Sequence, residues 1–242
     1  MLWKVTFDSK IKGVGLEDCD ANLLMFNTHE NYMLVEDGGL PAVFERLQKH
    51  CKTQIRFNTR VLSIDYAGKY VRIHTTNGLY SAKRLISSLP LGVLKTNKVK
   101  FNPPLPQSHQ SAIETLAVGH SNRLLCKFTR PFWTISSGWL VFATRNNKNN
   151  RYPLAFAYPS EEGKYFLLVF VAGDAYEAVG EMNDQQICMD FRKFLGRFVE
   201  LSQVEIESGR ASKWHKDQHA LGSYSIRTKI AQDKHFKEIS RD

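Results

Sequence analysis

Residues 214–225 read Trp-His-Lys-Asp-Gln-His-Ala-Leu-Gly-Ser-Tyr-Ser, placing two large aromatics, Trp214 and Tyr224, on either side of a turn at Gly222. Taken alone, each aromatic is an ordinary core residue, and glycine is what a sharp turn demands. The other groups that could do chemistry unaided are dispersed. His120, His215 and His219 show no Ser-His-Asp grouping, and no His/Cys/Asp/Glu spacing suggests a metal, so hydrolysis by a triad or a bound metal is not expected. Four cysteines, Cys19, Cys51, Cys126 and Cys188, form no C-x-x-C pair and no disulfide framework. Cys126 and Cys188 lie in apolar patterns and read as buried thiols, which points to a reducing, intracellular and cytoplasmic compartment.

The elements that must position these residues follow from periodicity. Residues 1–36 are mixed, with Asp18, Asp20 and Asn22 preceding Leu23–Phe26. Gly38-Gly39 breaks the pattern and Leu40-Pro41 opens a helix with Val43, Phe44 and Leu47 on one face. From Gln54 the period becomes two: Ile55 and Phe57, then Val61–Tyr66, then Val71 and Ile73 predict strands, with turns at Ala67-Gly68 and Asn77-Gly78. Leu85-Ile86 predicts a further short strand ending at Ser88-Leu-Pro90. Asn102-Pro-Pro-Leu-Pro106 is a stiff connector. A helix over about 107–117 and strands over Asn122–Phe128, Gly138–Ala143, Leu154–Tyr158 and Tyr165–Ala172 come next, with a polar loop at 146–150. Met189, Phe191, Phe194, Leu195 and Phe198 predict a helix from about Asn183, and Val204–Ile206 a last strand before Trp214. The fold class is therefore α+β (α/β mixed), with a mainly antiparallel sheet flanked by helices.

Composition is that of a globular protein: 242 residues, 43% hydrophobic, 12% aromatic and 24% charged. The net charge of +9 is spread out, with no run of five like charges and no zinc-finger or ribonucleoprotein motif. Neither a nucleic-acid partner nor a membrane is expected, since no window approaches about 18 apolar residues and the N-terminus lacks a signal-like run.

The landmarks form an ordered series: Gly38-Gly39 with its helix, Phe57-Asn-Thr-Arg-Val-Leu-Ser-Ile-Asp-Tyr66, Ser88-Leu-Pro-Leu-Gly-Val-Leu-Lys95, Phe101-Asn-Pro-Pro-Leu-Pro106, Gly119-x-x-Asn122, Pro131-Phe-Trp133, Phe170-Val-Ala-Gly173, and Trp214 to Ser225. This series, over about residues 35–226, resembles the flavin-containing amine oxidases, the monoamine and polyamine oxidases and lysine-specific histone demethylases, with the polyamine oxidase branch most similar. The resemblance implies FAD as cofactor, a small-molecule amine or polyamine as substrate, and oxidation of an amine C–N bond by hydride transfer to the flavin, with oxygen as final acceptor. It also implies roles. The Val61 backbone would meet the adenine of FAD, and the turn at Pro90 would run beside the cofactor. Trp214 would pack near the flavin ring, Gly222 would allow the turn, and Tyr224 would line the substrate side. Arg123 falls where the family has a lysine that holds a water beside the flavin; arginine keeps the charge but is bulkier and does not deprotonate.

No G-x-G-x-x-G with an acidic residue about 20 positions on is present, so the phosphate loop of a Rossmann site is missing. The chain reads as a central fragment: 1–35 as an N-terminal segment of the substrate domain, 36–95 as part of the FAD-binding domain, 96–213 as the substrate domain, and 214–242 as a return to the flavin site with a divergent tail. The alternative reading is a non-catalytic fragment or pseudoenzyme acting as a binding scaffold.

Overall fold

The computed structural model describes residues 39–51, 53–143, 151–158, 163–172, 175–231 and 233–241. The expectations for residues 1–38, for the loop at 146–150 and for Gly173 lie outside them. The chain divides into two compact units.

The smaller unit includes the described residues through Ser87 together with Lys98–Pro104. Its sheet has the order β3-β2-β1-β4, formed by β1 (Val61–Asp65), β2 (Val71–Thr75), β3 (Gly78–Ala82) and β4 (Lys100–Asn102). β1, β2 and β3 pair antiparallel, and β4 runs parallel to β1. The hairpin turns at Thr76-Asn77, one residue before the expected Asn77-Gly78, and Gly78 opens β3 at φ +125°, which a glycine adopts without a Cβ penalty. Ile64 and Ile73, paired across β1 and β2, are the buried centre of this sheet.

Helix α1 (Gly39–His50) forms where Leu40-Pro41 predicts it, but its apolar residues Leu40, Phe44 and Leu47 remain exposed. Two expected strands are absent. Ile55 and Phe57 lie in turn and irregular backbone, and Ile86 is 94% exposed with no strand at Leu85-Ile86. Apolar spacing alone does not make a strand: Val71 and Ile73 gain one by pairing with β1 and β3, whereas neither Ile55-Phe57 nor Leu85-Ile86 pairs with a strand of the described sheets.

The larger unit comprises Ser88–Asn97 and the chain from Leu105 onward. Its five-stranded sheet has the order β10-β6-β9-β8-β7, from β6 (Ser121–Phe128), β7 (Gly138–Val141), β8 (Leu154–Ala157), β9 (Tyr165–Ala172) and β10 (Ile206–Ala211), all antiparallel. Alternation sends Leu124, Cys126 and Phe128 of β6, and Leu167, Val169 and Val171 of β9, into the core. Helix α5 (Asp184–Leu195) covers that face with Ile187, Phe191, Phe194 and Leu195, a spacing of i, i+4, i+7 and i+8. Each such burial contributes about 1.5–3 kcal/mol.

Asn183 starts this helix with a capping box: its side chain accepts from Gln186 N while Gln186 returns the bond to Asn183 N. Phe198, expected within the helix, lies beyond its end, and Met189 is exposed. The last sheet strand begins at Ile206 rather than Val204, which is buried just before it.

A smaller apolar cluster joins α2 (Leu91–Lys95), α3 (Gln107–Thr115), β5 (Ala117–Gly119) and α6 (Asp233–Ile239) through Leu91, Leu116 and Ala231. β11 (Tyr224–Ile226) pairs antiparallel with β5, and α4 (Ala175–Gly180) precedes α5. The architecture is mixed α and β with a mainly antiparallel sheet, as expected. Among the described residues no helix is long and apolar enough to cross a membrane.

Candidate functional site

Chain pairing gathers most of the singled-out residues in the larger unit. β5 runs almost directly into β6, so Gly119, Ser121, Asn122 and Arg123 follow one another along a single edge of backbone. β11 docks on β5 with Tyr224 opposite Gly119. Ser223 locks this join: its N–H donates to Gly119 O at 2.8 Å, its hydroxyl donates to Ser121 O at 2.7 Å, and Ser121 N–H donates back to Ser223 Oγ at 2.9 Å. Both ends of a short polar side chain are thus used up in holding Tyr224 beside β6.

Arg123 extends from the β6 face opposite the core. Its guanidinium lies 4.0 Å over the Phe170 ring, donates to Tyr224 Oη at 3.3 Å and to Asn122 O at 3.2 Å, and also donates to Ser121 Oγ. Its backbone is fixed by exchange with Ser212, Arg123 N to Ser212 Oγ and Ser212 N to Arg123 O, both 2.8 Å. Burial lowers its pKa from the ordinary arginine value, with Tyr224 acting in the opposite direction. Arginine starts so high that it stays a cation. Lys127, four residues further along the same strand, pairs with Glu207 at 2.8 Å instead.

Trp214 begins the loop that returns to Tyr224. Its N–H donates to Asn122 Oδ1 at 3.1 Å, and Gly222 N–H closes the loop on Trp214 O at 3.1 Å. Gly222 is at φ +149°, and a Cβ there would overlap Val118 Cγ1, so the position requires glycine twice over. The turn expected beside the cofactor approaches this same loop. Pro90 caps α2, and a Cβ on Gly92 would lie 2.5 Å from Ala220 O and 2.6 Å from Leu221 O. Backbone therefore meets backbone between α2 and the Trp214–Gly222 loop. Trp214 is 45% and Tyr224 49% exposed, leaving two aromatic surfaces available at the rim of a stiff backbone frame. Val61 belongs to the smaller unit, where it begins β1 opposite Thr75.

Several residues that build this frame have no positioning role assigned from the sequence. Asn122 is 2% exposed and bridges two elements, with its Oδ1 on Trp214 N and its Nδ2 3.4 Å from His215 Nδ1. His120 stacks on Tyr176 at 4.4 Å between centroids and meets His215 edge-on at 6.5 Å. Burial lowers both histidines from their ordinary value; Glu177 opposes this at His120, and the neighbouring His120 adds to it at His215. Burial also pushes Tyr176 up to about 12, with its hydrogen bond to Glu177 adding to the shift. Asn122 falls within the Gly119-x-x-Asn122 landmark, but nothing in a linear sequence says that an amide will be buried and fully used. Among the described residues no group of three or more His, Cys, Asp or Glu is placed to hold a metal ion.

Comparison with known proteins places these features in context. A family model described as flavin containing amine oxidoreductase matches residues 13–239. Lysine-specific histone demethylase 1 of Caenorhabditis elegans is 27% identical over 250 aligned positions, covering 96% of this chain and 32% of the relative. Polyamine oxidase 4 of Oryza sativa subsp. japonica is 32% identical over 181 positions, covering 71% of this chain and 34% of the relative. The solved structure of wild-type putrescine oxidase bound to putrescine superposes with a TM-score of 0.67 at 16% identity, over 85% of this chain and 45% of the other. That likeness speaks for the fold. The chain spans about a third of the length of these two curated relatives.

Proposed function

The chain belongs to the flavin-containing amine oxidoreductase family, and from that membership we propose that it contributes to an FAD-dependent amine oxidase acting on a polyamine-type substrate. The supporting observation is the frame of β5, β6 and β11, which gathers Arg123, Tyr224 and the Trp214–Gly222 loop in one place. The exposed aromatic surfaces of Trp214 and Tyr224, with the half-buried Arg123 cation beside Tyr224, have the chemistry to meet a planar ring edged with carbonyl and nitrogen acceptors. In this reading Trp214 and the Pro90 turn hold the ring system and Gly222 permits the close turn. FAD, when bound, supplies the hydride acceptor that no side chain can provide.

The chain's own residues orient and exclude. The Tyr224 hydroxyl accepts from Arg123, so its own proton is directed outward to a substrate nitrogen lone pair, which favours the uncharged amine. Arg123 neither gives nor takes a proton. It fixes Tyr224 and keeps positive charge at the site, which disfavours an ammonium group there. The preference for a polyamine draws on the polyamine oxidase relative and on the Gly-Ser-Tyr-Ser turn at Gly222–Ser225.

A second reading, a binding scaffold without oxidase activity, is favoured by one observation. Arg123, which by the resemblance falls where the family has a lysine, is committed to Ser121, Phe170 and Tyr224. The two separate in a flavin-loading experiment. The purified chain is mixed with FAD, gel-filtered, and then challenged anaerobically with spermine and, separately, with a dimethyl-lysine peptide. Retained flavin absorbance that bleaches with spermine and not with the peptide is the expected outcome. Bleaching by the peptide alone overturns the polyamine assignment, and loss of all flavin on the column leaves the scaffold.

A further inference from the structure

Behind the core face of β6, on the side away from Arg123, two thiols from distant parts of the chain meet. Cys126 lies directly opposite Gly209 in the β6–β10 pairing, so a side chain at 209 would project to the same face as Cys126, about 4.5–5.5 Å away at Cβ. That space is filled by Cys188 of α5, whose Sγ overlaps the position a Gly209 Cβ would take. The Cys188 sulfur occupies the place beside Cys126 that a side chain at 209 would otherwise fill. The absence of a side chain at Gly209 thus lets Cys188 of helix α5 reach the sheet beside Cys126.

The two sulfurs differ in access. Cys126 is completely buried, whereas Cys188 is partly exposed and lines a cavity of about 420 Å³. Asp184, Met189, Arg192, Ser208 and Gly209 also line this cavity, which opens between α5 and β10, an outer strand of the described sheet. It is large enough for a small polar oxidant. The neighbouring Cys126 thiol lowers Cys188 from the ordinary thiol value, and Cys188 in turn, with burial, raises Cys126.

From this geometry we propose that Cys126 and Cys188 are a peroxide-responsive pair, in which Cys188 is oxidised first and Cys126 resolves it to a reversible disulfide. The Cys188 thiolate attacks one oxygen of hydrogen peroxide; an S–O bond forms, the O–O bond breaks, and the departing hydroxide takes up a proton to leave as water. The Cys126 thiol then gives up its proton as its sulfur attacks the Cys188 sulfenic sulfur. An S–S bond forms, the S–O bond breaks, and a second water leaves. Two thiols and one peroxide become one disulfide and two waters, and a dithiol reductant reverses the reaction. The inference is independent of flavin binding and of the amine oxidised.

The test uses the full chain treated with hydrogen peroxide, alkylated under denaturing conditions and digested without reductant. The expected result is a cross-linked peptide joining Cys126 to Cys188, loss of two alkylatable thiols, and recovery of both with dithiothreitol. In Cys126→Ser, a sulfenic acid trap such as dimedone should label Cys188, and in Cys188→Ser, Cys126 should remain a free thiol. The proposal is overturned if Cys188 advances to sulfinic acid while Cys126 still alkylates, if Cys188 pairs elsewhere, or if both stay reduced under peroxide that oxidises the exposed Cys51.

Discussion

Asn122 shows how a single buried side chain can position a surface one. Its amide oxygen accepts from the Trp214 backbone and its amide nitrogen faces His215, so it ties the start of the 214–222 loop to strand β6. Asn122→Ala would leave the Trp214 N–H without that acceptor, at a cost of about 1–3 kcal/mol read from the urea midpoint. Asn122→Asp keeps the acceptor and should lose less; equal losses would argue that the tether does not matter. The neighbouring histidines set a pH dependence. His120 and His215 both have folded pKa values below the ordinary value of 6.5, so on acidification the unfolded chain takes up protons first. Their contribution to stability is complete above about pH 6.5 and is lost as pH falls through the folded values. His120→Phe preserves the stack on Tyr176 and should flatten part of that acid decline; an unchanged profile would remove His120 from the explanation. The sequence marks Trp214, Gly222, Tyr224 and Arg123 through the ordered series of landmarks and the resemblance it carries, since each alone is an ordinary residue. It marks Asn122 only as part of the Gly119-x-x-Asn122 landmark and does not show that Asn122 tethers Trp214 or that His120, Tyr176 and His215 cluster, because those contacts join segments far apart in the chain.

At the level of elements, β9 stands out as an unbroken apolar run from Tyr165 to Ala172, and period-two patterning reveals β1 and β2. Short β5 and β11 are invisible to it, since three residues carry no period. Yet the join of β5 to β11 places Tyr224, and Gly222 makes that join possible. Gly222→Ala should cost roughly 1–3 kcal/mol, because it combines a positive φ with overlap on Val118. Val118→Ala removes the overlap and leaves the backbone strain. A double-mutant cycle in thermal unfolding should therefore show the two substitutions together costing less than their sum. Strict additivity would place the whole effect in the backbone.

Across the whole molecule, the two units differ in how much each buries. The smaller sheet has strands of five residues or fewer and centres on Ile64 and Ile73, whereas the larger unit packs strands β6 and β9 of eight residues beneath helix α5. Amide exchange should open β1–β3 at a lower denaturant concentration than β6 and β9; simultaneous opening would mean that the units fold as one. Strand β6 lies between β9 and β10, with its core side against α5 and its opposite side carrying Arg123. A ligand reaching Arg123 and Tyr224 would meet a surface already shaped before its arrival. Choice among ligands would then fall to shape and charge at first contact, with little of the binding energy spent on ordering the protein beneath them.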